Sequence, residues 1–327
     1  MMKESYMVKT LVAGLITYIP GYSHIPVLSR ASYSNTEGTD SASYCYSVWL
    51  RHLVMADRNG LSVLPETVAE LGPGDSLGIG LAALLSGVKQ YYALDVVRYA
   101  DISRNLAIFD GLVELFERRS GIPDESQFPE VRPRLQSYRF PAHILTEQRL
   151  HDSLDQRRVQ AIRDSLTLAG HDSEGECRIS YFAPWDSGAV LKEHSVDMIY
   201  SQAVLEHVTD LEHTYRALSQ WLKPGGFMSH VIDFRCHGSA ARWNGHWTYS
   251  DLTWKLMQGT RPYLLNRRPH SDHVNLLAQY GFQAVCDDKT TDTSGIKQTE
   301  LAPRFWNISE EDLMTNLAFI QAVKSPV

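Results

Sequence analysis

Glu70-Leu71-Gly72-Pro73-Gly74-Asp75-Ser76 closes a short apolar run, Thr67–Leu71, and leads into a second apolar stretch of helical character. Glycines at 72 and 74 let a chain turn sharply and bring its backbone against a ligand where a Cβ would clash. About twenty residues further on, the run Tyr91–Leu94 ends in Asp95, placed to accept hydrogen bonds from ribose hydroxyls. A glycine turn followed by an acidic strand end points to a nucleoside-containing cofactor at the carboxyl edge of a parallel sheet.

The spacing argues against a dinucleotide. Leu77 occupies the third glycine position of Gly-x-Gly-x-x-Gly, Gly78 comes one residue late, and Asp75 puts negative charge where a pyrophosphate would sit. Glu70 is awkward beside phosphates and suited to an ammonium or a buried amide. A cofactor with a cationic methionine end is favoured over NAD.

Working outward, Ile179–Phe182, Val196–Tyr200 and Phe227–Ile232 are further short apolar runs. Helical stripes lie between runs: Leu106, Phe109, Leu112, Val113 and Phe116, then Leu211, Tyr215, Leu218 and Leu222. Strands alternating with helices imply a mostly parallel sheet covered on both faces. Residues 1–60 are expected to form a separate helical cap, with Ser41 or Ser43 starting a helix that Asn59-Gly60 ends. Residues 61–327 form the main domain. Its stretch 120–175 begins as a proline-spaced loop and continues as a charged helix through Leu150, Leu154, Ile162 and Leu166, the pattern of a helical lid.

The chain of 327 residues has 31 Lys and Arg against 38 Asp and Glu, a net charge of −7 that disfavours a nucleic-acid partner. Cys45, Cys177, Cys236 and Cys286 lie far apart, so neither a zinc motif nor a disulfide framework is expected, and a cytoplasmic location fits. The apolar run Leu11–Ile19 is too short to span a bilayer, and no stable membrane insertion is expected. Oligomeric state is left open.

Three segments in order resemble class I S-adenosylmethionine-dependent methyltransferases: Glu70–Ser76, Ser195-Val-Asp-Met-Ile-Tyr-Ser-Gln-Ala-Val-Leu-Glu-His-Val208, and Leu222-Lys-Pro-Gly-Gly226. The last two together are similar to the type 11/12 branch. The resemblance implies an α/β, Rossmann-like, seven-stranded sheet, mostly parallel with the last strand antiparallel, and places the last two strands at Phe282–Cys286 and Leu317–Val323. It implies S-adenosylmethionine as cofactor. Gly72, Gly74 and Ser76 would surround the methionine part, with Glu70 supporting the loop, and Asp95 would hold the ribose. Trp185 would stack on the adenine, Asp186 would accept from its amino group, and Ser201 and Gln202 would sit under the sulfonium. Ser76 and the 120–175 stretch depart from the family pattern.

The segment after the fifth run, with Asp233, Arg235, His237, Arg242, Asn244, His246 and Trp247, reads as a substrate loop at the same sheet edge. Arg235, His246 and Trp247 are the candidate substrate contacts, and His207, Asp233 and His237 the candidate catalytic groups. Asp233 and His237 could ligate a divalent ion with Glu206, but the spacing matches no tight ligand pattern, and no metal is expected. Tyr44, Tyr46 and Trp49 are candidates for one wall of the site. The expected activity is methyl transfer to a small molecule or carbohydrate, favouring a hydroxyl oxygen. An NAD-dependent oxidoreductase and a catalytically silent binding module of the same fold are the alternatives.

Overall fold

The computed structural model describes residues 2–19, 39–167, 177–185, 188–261 and 264–325. Seven strands make one sheet: β1 (Thr67–Leu71), β2 (Gln90–Leu94), β3 (Arg178–Phe182), β4 (Val196–Gln202), β5 (Leu222–Asp233), β6 (Phe282–Thr291) and β7 (Thr315–Lys324). Their order is β3-β2-β1-β4-β5-β7-β6. The first five pair in parallel, and β7 runs antiparallel to both β5 and β6. This is the expected Rossmann-like sheet. β5 begins earlier than expected because Leu222 already pairs with Val196; the Lys223–Gly226 turn is absorbed as an irregularity, with Gly225 at φ 76°.

Burial on both faces explains why β1 and β4 read as continuous apolar runs. Side chains alternate between two cores. Val68, Tyr91, Ala93, Met198, Tyr200 and Phe227 face one, while Ala69, Leu71, Leu94, Ile199, Met228 and Ile232 face the other. The first face carries α2 (Ala42–Arg58), α3 (Gly78–Leu85), α4 (Ile102–Glu117), α5 (Glu147–Ser153) and α6 (Gln156–Thr167). The second carries α7 (Leu211–Trp221) and α9 (His270–Gln279). α1 (Met2–Ile16) packs on α8 (Asp251–Gln258) at a close crossing where Gly14 meets the Leu256 and Met257 carbonyls.

The boundary expected at residue 60 has no counterpart in the packing of α2. Ser41 caps this helix and Asn59 ends it, but its Tyr46, Val48, Trp49, Leu50 and Leu53 are fully buried in the first core. Tyr46 donates to the Ser120 carbonyl and Trp49 to Ser86 Oγ, so these two are core residues and not a site wall. Arg51, also fully buried, donates to the carbonyls of Pro123, Val131 and Pro133 and pairs with Glu125. One guanidinium thereby folds the proline-spaced loop onto α2. The helix expected in the 120–175 stretch is two helices, α5 and α6, broken at Leu154-Asp155.

Neighbours of β1 set the site's place. β2 and β3 lie to one side and β4 and β5 to the other, so the connections leave β1 and β4 in opposite directions and open a crevice at their carboxyl ends.

Candidate active site

At the end of β1 the chain turns through two left-handed glycines, Gly72 at φ 63° and Gly74 at φ 71°. Gly72 N–H donates to the Leu94 carbonyl at 2.8 Å, and a Cβ there would come within 2.7 Å of a Val204 methyl. Gly74 N–H donates to Asp95 Oδ2 at 3.3 Å, and Val96 N–H donates to Oδ1 at 2.7 Å. Burial pushes the Asp95 carboxyl up while these amides oppose the rise, so the carboxylate is fixed against the turn with lone pairs to spare.

Glu70 points the other way. Buried in the first core, it accepts from the hydroxyls of Tyr91 and Tyr200, and burial raises its carboxyl to about 8 against those two hydrogen bonds. It therefore supports the loop from beneath. Ser76 is buried too: its hydroxyl donates to the Thr39 carbonyl and accepts from Gly78 N–H. This draws the residues just ahead of α2 over the turn. At the N-terminus of α3, Leu77 N–H already donates to Asn105 Oδ1 at 2.9 Å, and a Cβ on Gly78 would meet Cys45 Sγ. Those amides are used by the protein, which counts against a pyrophosphate and hence against NAD.

A second polar centre lies across the crevice. Val204, in contact with Gly72, leads into a 3-10 turn, Leu205–His207, pinned by Asn266, which donates through its side chain to the carbonyls of Leu205 and Val208 and through its N–H to that of Glu206. At the end of β5, Asp233 is chelated by Arg235 through both oxygens and contacts His237 at 3.2 Å. Burial pulls the Asp233 carboxyl up, but the bonds from His237 and Arg235 outweigh it and hold it well below the carboxylate range. The His207 and His237 rings meet edge-on, with centroids 5.1 Å apart. Glu206 is 3% exposed, with neither carboxylate oxygen hydrogen-bonded among the described residues. Burial, and then the charge of Asp233, raises its carboxyl well above the usual range. Glu130, from the proline-spaced loop, reaches Arg235 at 2.6 Å, so that loop borders the site.

The structure thus gathers Gly72, Gly74 and Asp95 at one wall and His207, Asp233, His237 and Arg235 at the other. It withdraws several expected contacts. Ser201 is fully buried and hydrogen-bonded to His230 at 2.7 Å, while Gln202 turns to His52 at 3.4 Å, so neither side chain points into the crevice. Trp185 donates its N–H to the Asp95 carbonyl, which puts it beside that carboxylate, yet its ring stacks edge-on against Trp221. Asp186 lies outside the described residues. Trp247 is fully buried in a satellite core with Ile296, Leu301 and Phe305, and His246 is buried against it at 4.8 Å. Neither borders an open surface. Asn244 explains why: fully buried, it accepts from Ile296 N–H and donates to the Leu313 carbonyl. The residues missed from sequence are Arg51, Asn266, Glu130 and Thr39, all of which act through partners distant in the chain.

A methyltransferase-domain family of type 11 matches residues 186–229, the stretch that holds β4, the 3-10 turn, α7 and the start of β5. No curated protein matches the chain. Among solved structures it is similar to an S-adenosylmethionine-dependent methyltransferase from Mesorhizobium loti, at 14% identity and TM-score 0.39, over 80% of this chain and 91% of that one. It is also similar to a Haemonchus contortus phosphoethanolamine N-methyltransferase 2, at 15% and 0.41, over 85% of this chain and 53% of that one. A CurJ carbon methyltransferase aligns at 15% and 0.39, over 99% and 68% respectively. Likenesses this distant say nothing about the acceptor. The matched segment contains the resemblance at Ser195–Val208, and the strand order is the Rossmann-like one, so over this stretch the chain is similar to class I S-adenosylmethionine-dependent methyltransferases of the type 11-like group.

Proposed function

We propose that the chain transfers a methyl group from S-adenosylmethionine to a hydroxyl of a small molecule or sugar. The observation that carries this reading is that the left-handed Gly72/Gly74 turn and Asp95 share a carboxyl sheet edge with a histidine–carboxylate centre, to which Val204 against Gly72 connects them. The cradle fits the cofactor. The turn offers backbone without Cβ atoms for the methionine part, and Asp95 has lone pairs for ribose hydroxyls. Trp185 stands next to Asp95, where adenine would lie. The backbone of residues 201–204 would line the methyl path, in place of the Ser201 and Gln202 side chains.

When bound, the cofactor supplies an electrophilic methyl on a sulfonium. The protein's own work is to hold the acceptor oxygen in line, exclude water and accept a proton. An imidazole oriented by an ionised carboxylate is the arrangement of a general base, which gives that role to His237, with Asp233 orienting it and His207 beside it. Arg235, tied to Asp233 and Glu130, rims the acceptor side. The segment ahead of α2 and the proline-spaced loop would close over the reactants, as lids do. A small acceptor and a cytoplasmic setting are in keeping with the acidic charge and the four free cysteines. No helix among the described residues is long and apolar enough to cross a membrane.

The test is methyl transfer from radiolabelled S-adenosylmethionine to a panel of sugars, phenols, amines and thiols. O-methylated product is expected, with His237→Ala lowering kcat by roughly 100-fold and leaving cofactor affinity unchanged. Product methylated on nitrogen or carbon, or turnover indifferent to His237, would overturn the hydroxyl assignment.

A further inference from the structure

Three ligand-bearing side chains meet at the acceptor side of the crevice, brought there by two separate elements. Glu206 and His207 come from the 3-10 turn after β4, His237 from the loop after β5, and one ligand atom of each lies within 4.8 Å of the others. Glu206 supplies an independent sign that something is bound here. It is buried, aimed into the cluster, and without a hydrogen-bond partner on either oxygen among the described residues. A carboxylate in that position is costly unless a cation completes it. His237 is held at φ 46°, a left-handed conformation uncommon for a side chain with a Cβ, and Asp233 fixes its ring at 3.2 Å. A carboxylate bonded to one ring nitrogen is how ligating imidazoles are oriented. Asp233 itself is occupied by Arg235 through both oxygens, which makes it the orienting group and not a ligand.

We propose that Glu206, His207 and His237 bind one divalent transition-metal ion. Two imidazoles and one carboxylate suit zinc, cobalt, manganese or ferrous iron, whereas magnesium and calcium take oxygen ligands. Bonds of about 2.1 Å at tetrahedral angles put ligand atoms about 3.4 Å apart around an ion. The shell must therefore tighten by up to about 1.4 Å, through rotation of the half-buried His207 and the exposed His237 side chains. Three protein ligands leave a position open towards the crevice. Within the methyl-transfer reading, on which this part alone rests, that position takes the acceptor hydroxyl. The cation would lower the hydroxyl's pKa and, in the metal-loaded protein, take over the activating role that His237 holds as base in the metal-free one, the proton passing to solvent.

The experiment is titration of chelator-treated full-length protein with cobalt(II), followed by calorimetry and visible absorbance, with no cofactor present. Its outcome is thus independent of the methyl-transfer assignment. One ion per chain with ligand-field bands is expected, and Glu206→Gln, His207→Ala and His237→Ala should each weaken binding at least tenfold. Zinc should raise the melting temperature of the wild type and not of His237→Ala, a readout that also shows whether the variant is folded. Absence of saturable binding, or binding that folded His207→Ala and His237→Ala variants retain unchanged, would overturn the site.

Discussion

Glu70 is a carboxylate buried beneath a ligand loop and shared by two tyrosine hydroxyls, and its pH behaviour follows from that burial. Its folded-state value of about 8 exceeds the unfolded value, so between roughly pH 4.5 and 8 the folded state holds the proton more tightly. Its contribution to stability is greatest at low pH and declines as pH rises through that window. Glu70→Gln should therefore gain on the wild type as pH is raised, by up to a few kcal/mol at about 1.4 per pKa unit. Urea unfolding of both proteins at pH 5 and pH 8.5 checks this, and parallel curves would refute it. Gly72→Ala combines a strained φ with a clash against Val204, and should weaken S-adenosylhomocysteine binding at least tenfold while costing about 1 kcal/mol or more. Fluorescence titration with a urea melt separates the two effects; unchanged affinity would show that the turn does not meet the ligand. At this scale the Gly72/Gly74 turn and the place of Asp95 beside it were legible in sequence because a turn and its neighbouring strand end are local. Ser201 and Gln202 were not, since their partners, His230 and His52, come from other elements.

Elements show the same division. β1 is found where the alternation put it, because a buried parallel strand writes its own apolar run into the sequence. The segment from Asp233 to Trp247 reads as a substrate loop, being rich in polar and aromatic groups. Its end, residues 244–247, is core instead, because Asn244 and Trp247 find their partners some fifty residues downstream, beyond any periodicity. Trp247→Ala should cost about 3–5 kcal/mol of stability with little direct effect on the crevice. A large fall in cofactor affinity with stability intact would return Trp247 to the site. Arg51 binds α2 to the proline-spaced loop through three carbonyls, and Arg51→Met removes all of these bonds, leaving Pro123 and Val131 only those from Ser47 and Arg132. Limited proteolysis should then cut within residues 120–146 well before the wild type is cut. Equal cleavage rates would mean that the loop is held by its apolar contacts, Ile122, Val131 and Ile144, alone.

Across the whole molecule, four buried histidines set the response to acid. Burial lowers His52 to about 4 and His230, His246 and His273 to about 3. Below pH 6.5 the unfolded chain binds protons that the folded chain refuses, so stability falls as pH drops from 6.5 towards 4. Four such groups outweigh the opposite slopes from Glu70, Glu206 and Asp95, and cooperative acid unfolding followed by circular dichroism is the expected outcome; a melting temperature constant from pH 7 to 4.5 would contradict it. The sheet order brings the Gly72/Gly74 turn, Asp95 and the Asp233–His237 centre to one carboxyl edge, and the central claim is that the crevice there holds S-adenosylmethionine against Asp95. The most direct measurement is calorimetric titration with S-adenosylhomocysteine and with NADH, on wild type and on Asp95→Ala. Micromolar binding of S-adenosylhomocysteine alone, weakened about tenfold or more by the substitution, is expected, whereas binding of NADH, or of neither ligand, would contradict the assignment.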